Sequence, residues 1–202
     1  MSTDARQPRV TIHGEIATVI LQEGERLRSQ YDSTIGRNTA ISAALVGEGK
    51  GLLAKLSTSV AVKALGDENA IGQWFEGPGE VLLSCPGLPE QIAEINLDSS
   101  EEIIFKKGSW LASTSGISIT PTFESVGSAV WNAIRGNLGN SLLLRARAEK
   151  AGRLLLSSVG NIHHKTLSDG ETYKVDNGNL LAWTSSAESA ILPCGGNEAW
   201  YM

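Results

Sequence analysis

Apolar residues fall along this chain in short runs, each about the length of a strand. The runs are Val10–Ile12, Ala17–Leu21, Val81–Leu83, Ile92–Leu97, Ile103–Phe105, Trp110–Ala112, Ile117–Ile119, Leu142–Leu144, Leu154–Leu156 and Leu180–Trp183. Turn-forming groups stand between them, at Gly77–Gly79, Asp98–Ser100, Ser168–Gly170 and Asp176–Gly178. Short strands at even spacing, punctuated by Gly and by Asp or Asn, predict an all-β sandwich or barrel. Ile117–Thr120 alternates apolar and polar residues, as a strand with one buried face should. Two segments have helical character. Ala40–Leu65 is rich in helix formers but broken by Gly47, Gly49 and Gly51, and Val126–Ile134 sets Val126, Val130 and Ile134 on one face. Both are read as insertions between strands.

The pattern also repeats. Leu97–Ser115 and Leu167–Ser185 align without a gap at an offset of 70, matching Leu97/Leu167, Glu101/Glu171, Gly108/Gly178, Leu111/Leu181, Ala112/Ala182, Thr114/Thr184 and Ser115/Ser185. Gly79–Ser84 matches Gly152–Ser157 at an offset of 73. A weaker copy opens the chain at an offset of 76, placing Ala17, Leu21 and Glu25 on Ala93, Leu97 and Glu101, with Asp32 in the place of Gly108. The unit reads as a strand ending at Leu, a turn carrying Glu, a second strand, and a Gly-mediated tight turn into a third. A few strands cannot bury their apolar face alone, whereas three such units packed about a pseudo-threefold axis can. The division expected is residues 10–84, 85–157 and 158–202 as three repeats of one compact domain, the last of them short.

Composition narrows the class without naming a reaction. The chain has 202 residues, a formal net charge of −5 and 41% hydrophobic residues, enough for a core and against wholesale disorder. The negative balance argues against broad binding of nucleic acid. Cys85 and Cys194 stand far apart and the only histidines are His13, His163 and His164, too few at too wide a spacing for a structural zinc site. A disulfide between the two cysteines is conceivable, but two reduced thiols in an intracellular protein is the preferred reading. Met1–Arg9 has no apolar core of a signal peptide and no run approaches a membrane span.

Glu76–Ser84, Lys107–Thr114 and Asp169–Trp183 resemble the family named for altered inheritance of mitochondria protein 24, with similarity from about Val10 to Trp183. The resemblance implies a double-stranded β-helix of the tryptophan-RNA-attenuator-like type, three units in one chain, and no established catalytic activity. It also implies, for eukaryotic relatives, association with the mitochondrial inner membrane and its cristae. This sequence departs from the family at Asp32, across Ala40–Leu65, and in the brevity of its third repeat.

Candidate chemistry is sparse. His163 and His164 are adjacent, so in a strand they would face opposite sides and could not share a metal. Glu25, Glu101 and Glu171 could be catalytic carboxylates. Their recurrence at one turn instead reads as structural, each accepting backbone N–H bonds. Gly47–Gly51 lacks the spacing of a phosphate-binding loop. Ser84, Ser157 and Ser158 have no nucleophile elbow around them, and Cys85 aligns with Ser158, which suits packing rather than catalysis. Arg135, Arg145, Arg147, Lys150 and Arg153 form a basic stretch without interleaved aromatics, a solvated face that leaves room for contact with anionic lipid.

The expectation is therefore a non-enzymatic scaffold or assembly protein with no cofactor, no metal and no nucleic-acid partner. A small-ligand-binding protein with a pocket between repeats is the alternative. Glu25, Glu101, Glu171, Gly108 and Gly178 are structural turn positions. The short third repeat should leave an open sheet edge that self-associates or takes a protein partner, with Trp200 and Tyr201 as interface residues. The absence of a leader favours the cytoplasm, or the mitochondrion if the eukaryotic role applies.

Overall fold

A computed structural model describes residues 7–45, 72–85, 90–121, 143–189, 192–194 and 199–201. The strands are β1 (Arg9–His13), β2 (Ile16–Leu21), β3 (Arg26–Gln30), β4 (Thr34–Arg37), β5 (Ser42–Leu45), β6 (Gly72–Glu76), β7 (Gly79–Leu83), β8 (Glu90–Leu97), β9 (Glu102–Lys106), β10 (Trp110–Thr114), β11 (Ile117–Pro121), β12 (Leu143–Ala148), β13 (Gly152–Val159), β14 (Ala182–Thr184), β15 (Leu192–Cys194) and β16 (Ala199–Tyr201). The fold is all-β, with single 3-10 turns at Tyr31–Ser33, Lys107–Ser109 and Asn177–Asn179. Most of the apolar runs named above lie on strands, although Leu180 and Leu181 precede β14 and Leu142 lies outside the described residues. Of the two helical candidates, Ala40 lies in a turn, Ile41 is buried in the first core and Ser42–Leu45 is strand β5, while residues 46–65 and all of Val126–Ile134 lie outside the described residues.

The strands form where alternate residues can be buried. In β2, Ala17, Val19 and Leu21 point inward while Ile16, Thr18 and Ile20 are more exposed. In β3 the inward residues are Leu27 and Ser29, between outward Arg26, Arg28 and Gln30. That strand carries one large apolar residue, so it does not register as an apolar run.

Four sheets result, ordered β1-β2-β7-β4, β5-β6-β3-β10-β13-β8, β11-β12-β9-β14 and β15-β16, with every named strand pair antiparallel. The same pairings occur twice. In the first half β2 pairs β7, β7 pairs β4, β3 pairs β6 and β6 pairs β5. In the second half β8 pairs β13, β13 pairs β10, β9 pairs β12 and β12 pairs β11. Registers coincide as well. Leu21 faces Gly79 as Leu97 faces Gly152, and the bulge between Thr34 and Gly36 recurs between Trp110 and Ala112.

Each half has its own core. One gathers Val19, Leu21, Leu27, Phe75, Val81 and Leu83 with Leu111 and Leu155, and the other gathers Phe105, Trp110, Leu144, Ala146, Leu154 and Leu156. The halves meet where β3 pairs β10, with Ala112 opposite Ser29, Ser113 opposite Arg28 and Thr114 opposite Leu27. This seam turns two three-stranded layers into one six-stranded sheet. A second seam has the same register: β14 pairs β9, with Ala182 opposite Phe105, Trp183 opposite Ile104 and Thr184 opposite Ile103.

Candidate functional site

The three recurring glutamates occupy one geometry. Glu25 accepts the N–H of Gln22 at 2.7 Å, Glu101 that of Asp98 at 2.7 Å, and Glu171 that of Ser168 at 2.9 Å. In each turn the Glu N–H also donates to the carbonyl of that same residue three positions earlier. The residue just before each Glu is left-handed: Gly24 at φ 79°, Ser100 at φ 76° and Gly170 at φ 74°. A four-residue turn with φ > 0 at its third position is what a type II turn requires. Glu171 also pairs with Lys165 at 2.7 Å. That bond, with the Ser168 N–H, holds its carboxyl below the usual range and raises Lys165.

Gly108 and Gly178 lie in the next turn, but not as hinges in left-handed backbone. Both sit in 3-10 turns with φ outside that region, and Asp32 fills the same place in the first copy without disturbing it. What closes the turn is a serine. Ser33 Oγ donates to the Gln30 carbonyl at 2.8 Å and Ser109 Oγ donates to the Lys106 carbonyl at 2.6 Å. In the third copy Asp176 accepts from the Gly178 N–H at 2.7 Å, and Lys106 reaches across the seam to the Gly178 carbonyl at 2.7 Å.

Among the described residues, several titratable groups share one cleft. A broad, open cleft of about 550 Å³ is lined by His13, Glu15, Ile16, Asp32, Ile35 and Cys85, among others. All but Cys85 lie within residues 13–84. Cys85 is a free thiol packed against the first core. Burial, with a hydrogen bond to Glu90, pushes it up to about 12, so it is protonated near neutral pH. His163 and His164 are exposed and lie outside any strand, so the opposite-face argument does not apply to them. Arg145 and Arg147 both reach Glu102, at 3.8 and 3.5 Å, and Arg153 pairs with Glu94. Arg145 and Arg147 thus share one carboxylate while Arg153 has its own, and Arg135 lies outside the described residues. Among the described residues no cluster of three His, Cys, Asp or Glu side chains could hold a metal, and no helix is long and apolar enough to cross a membrane.

Strand edges remain. β14 is the last strand of its sheet, bonded on one side to β9. Its counterparts β4 and β10 each also pair a final strand, β7 and β13. Among the described residues β14 has no such neighbour. The backbone of Trp200 and Tyr201 forms β16, which pairs β15 and sets Pro193 opposite Trp200. β4 is a second edge, absent from the sequence reading although the offset of 76 aligns its Ile35 with Leu111.

A solved structure of protein SPYM3_0169 from Streptococcus pyogenes matches with a TM-score of 0.69 and 20% identity, over 96% of this chain and 87% of that one. At that identity the likeness shows the fold alone. No curated protein matches. The family described as mitochondrial biogenesis AIM24 matches residues 10–197, and on that extent, with the all-β architecture, the chain belongs to the AIM24 family.

Proposed function

We propose that this chain is a non-enzymatic assembly protein that acts by joining other chains at its sheet edges. The observation that supports this reading is the open side of β14, where β4 and β10 have a strand and β14 has none among the described residues. An edge strand offers unpaired N–H and C=O groups to another chain. The openness of the cleft and the protonated Cys85 within it weigh against an enzyme reading. The open cleft favours no enclosed ligand. For eukaryotic members a role beside the mitochondrial inner membrane is consistent with the family's description.

Deleting Cys194–Met202 tests the reading. The deletion should change the sedimentation profile more than the circular dichroism spectrum. If full-length and shortened chains both sediment as monomers across the accessible concentration range, and neither retains a partner from the host, the assembly reading falls.

A further inference from the structure

The two seams are one operation applied twice. The third strand of a copy pairs antiparallel with the second strand of the copy before it, as β10 does with β3 and β14 with β9, in equivalent register. One more application needs the third strand of the first copy, β4, and the second strand of the third copy, residues 172–176. Neither is so used: β4 is bonded on one side to β7, and of residues 172–176 none lies in a strand, Asp176 alone forming an isolated bridge.

Both halves of this unmade seam show what its absence uncovers. On β4, Ile35 is 55% exposed, whereas its counterpart Leu111 is fully buried beside the β3–β10 seam. In the third copy Leu167 and Tyr173 are 40% and 47% exposed, whereas Leu21, Leu97, Leu27 and Ile103 at the same places are buried. The turn between Leu167 and Tyr173 keeps the hydrogen bonds of the other two copies. The third copy therefore presents an arm with exposed apolar positions, on which, among the described residues, Lys165 lies over the Tyr173 ring at 5.5 Å.

We infer that the third seam forms between two copies of this chain, β4 of each pairing antiparallel with residues 172–176 of the other. Carrying the register forward sets Gly36 opposite Val175, Arg37 opposite Lys174 and Asn38 opposite Tyr173. One protomer carries both halves, so a twofold exchange uses both edges and closes the assembly at a dimer. The inference rests on the assembly reading and gives it a partner and a surface. Arg37 opposite Lys174 is the one unfavourable pair, since like charges directly across a ladder repel. The dimer therefore tightens as salt rises.

The test is a charge cycle on the full chain, read by sedimentation equilibrium. Lys174→Glu and Arg37→Glu should each tighten the dimer about threefold or more, while the double variant returns close to the parent. Tyr173→Ser should weaken it about tenfold with unchanged circular dichroism. In a Cys85→Ser, Cys194→Ser background, Gly36→Cys with Val175→Cys should give a disulfide between chains under mild oxidation. A disulfide within one chain would overturn the inference in favour of a closed monomer. Charge variants with unchanged affinity in a chain that still associates would overturn it and leave the β14 reading standing. A chain monomeric throughout would remove both.

Discussion

Two residues in neighbouring turns make opposite demands. Ser100 holds a left-handed φ that Gly24 and Gly170 adopt without a Cβ penalty. Ser100→Gly should therefore stabilise the chain by about 0.5–1 kcal/mol, read as a higher denaturant midpoint at unchanged slope. Gly108 keeps an ordinary φ, and a Cβ there would meet nothing. Gly108→Ala should leave stability unchanged or raise it by up to about 1 kcal/mol, whereas a true hinge glycine would lose stability. Cys85 fixes a pH dependence. Its folded thiol lies near 12 against an ordinary 9.0, because burial and Glu90 penalise the thiolate. An acid raised on folding leaves stability intact below its unfolded value, and stability is lost as pH climbs from 9 toward 12. Urea midpoints at pH 8 and pH 10.5 should fall further apart in the parent than in Cys85→Ser.

At the scale of elements, stability should be uneven. β9 pairs on both sides and buries Phe105 completely, so Phe105→Ala should cost about 3–5 kcal/mol. Residues 161–175, outside any strand and mostly exposed, should exchange their amide protons orders of magnitude faster than β10 and β13. Comparable protection in the two regions at low protein concentration would contradict this description. The same contrast explains what could be read in advance. Strands such as β2 and β13 carry alternating or continuous apolar residues and declare themselves. β3, with Leu27 and Ser29 inward, and β4, with Ile35 outward, owe their pairing to neighbours far along the chain. The recurring Glu was visible as a turn residue because duplication exposed it. The left-handed position beside it was masked, since Ser100 does not look like its glycine counterparts. The exposed arm at Tyr173 was hidden for a related reason: alignment shows equivalence, and only burial shows that the position is not covered as its counterparts are.

Across the whole molecule, duplication has kept strand register more faithfully than side chains. The bulge before Gly36 and the one before Ala112 coincide although the residues beside them differ. A β bulge fixes how a strand bends, so its position is held where composition is free to change. β3 is dressed with stacked cations, one of them across the seam. Arg26 lies over Trp74 at 5.6 Å and Arg28 over Trp110 at 5.1 Å, with Arg28 lowered by burial. Trp110 belongs to one half of the molecule and Arg28 to the other, so this stack exists only while the halves are joined. The indole is buried and held beneath a guanidinium, and its emission is set by that neighbour. With Trp74, Trp131, Trp183 and Trp200 replaced by Phe, parting of the halves would appear as a red shift in the remaining tryptophan while far-ultraviolet ellipticity still reported intact strands. The molecule thus carries a built-in optical gauge of its own internal boundary, distinct from any measure of how much sheet survives.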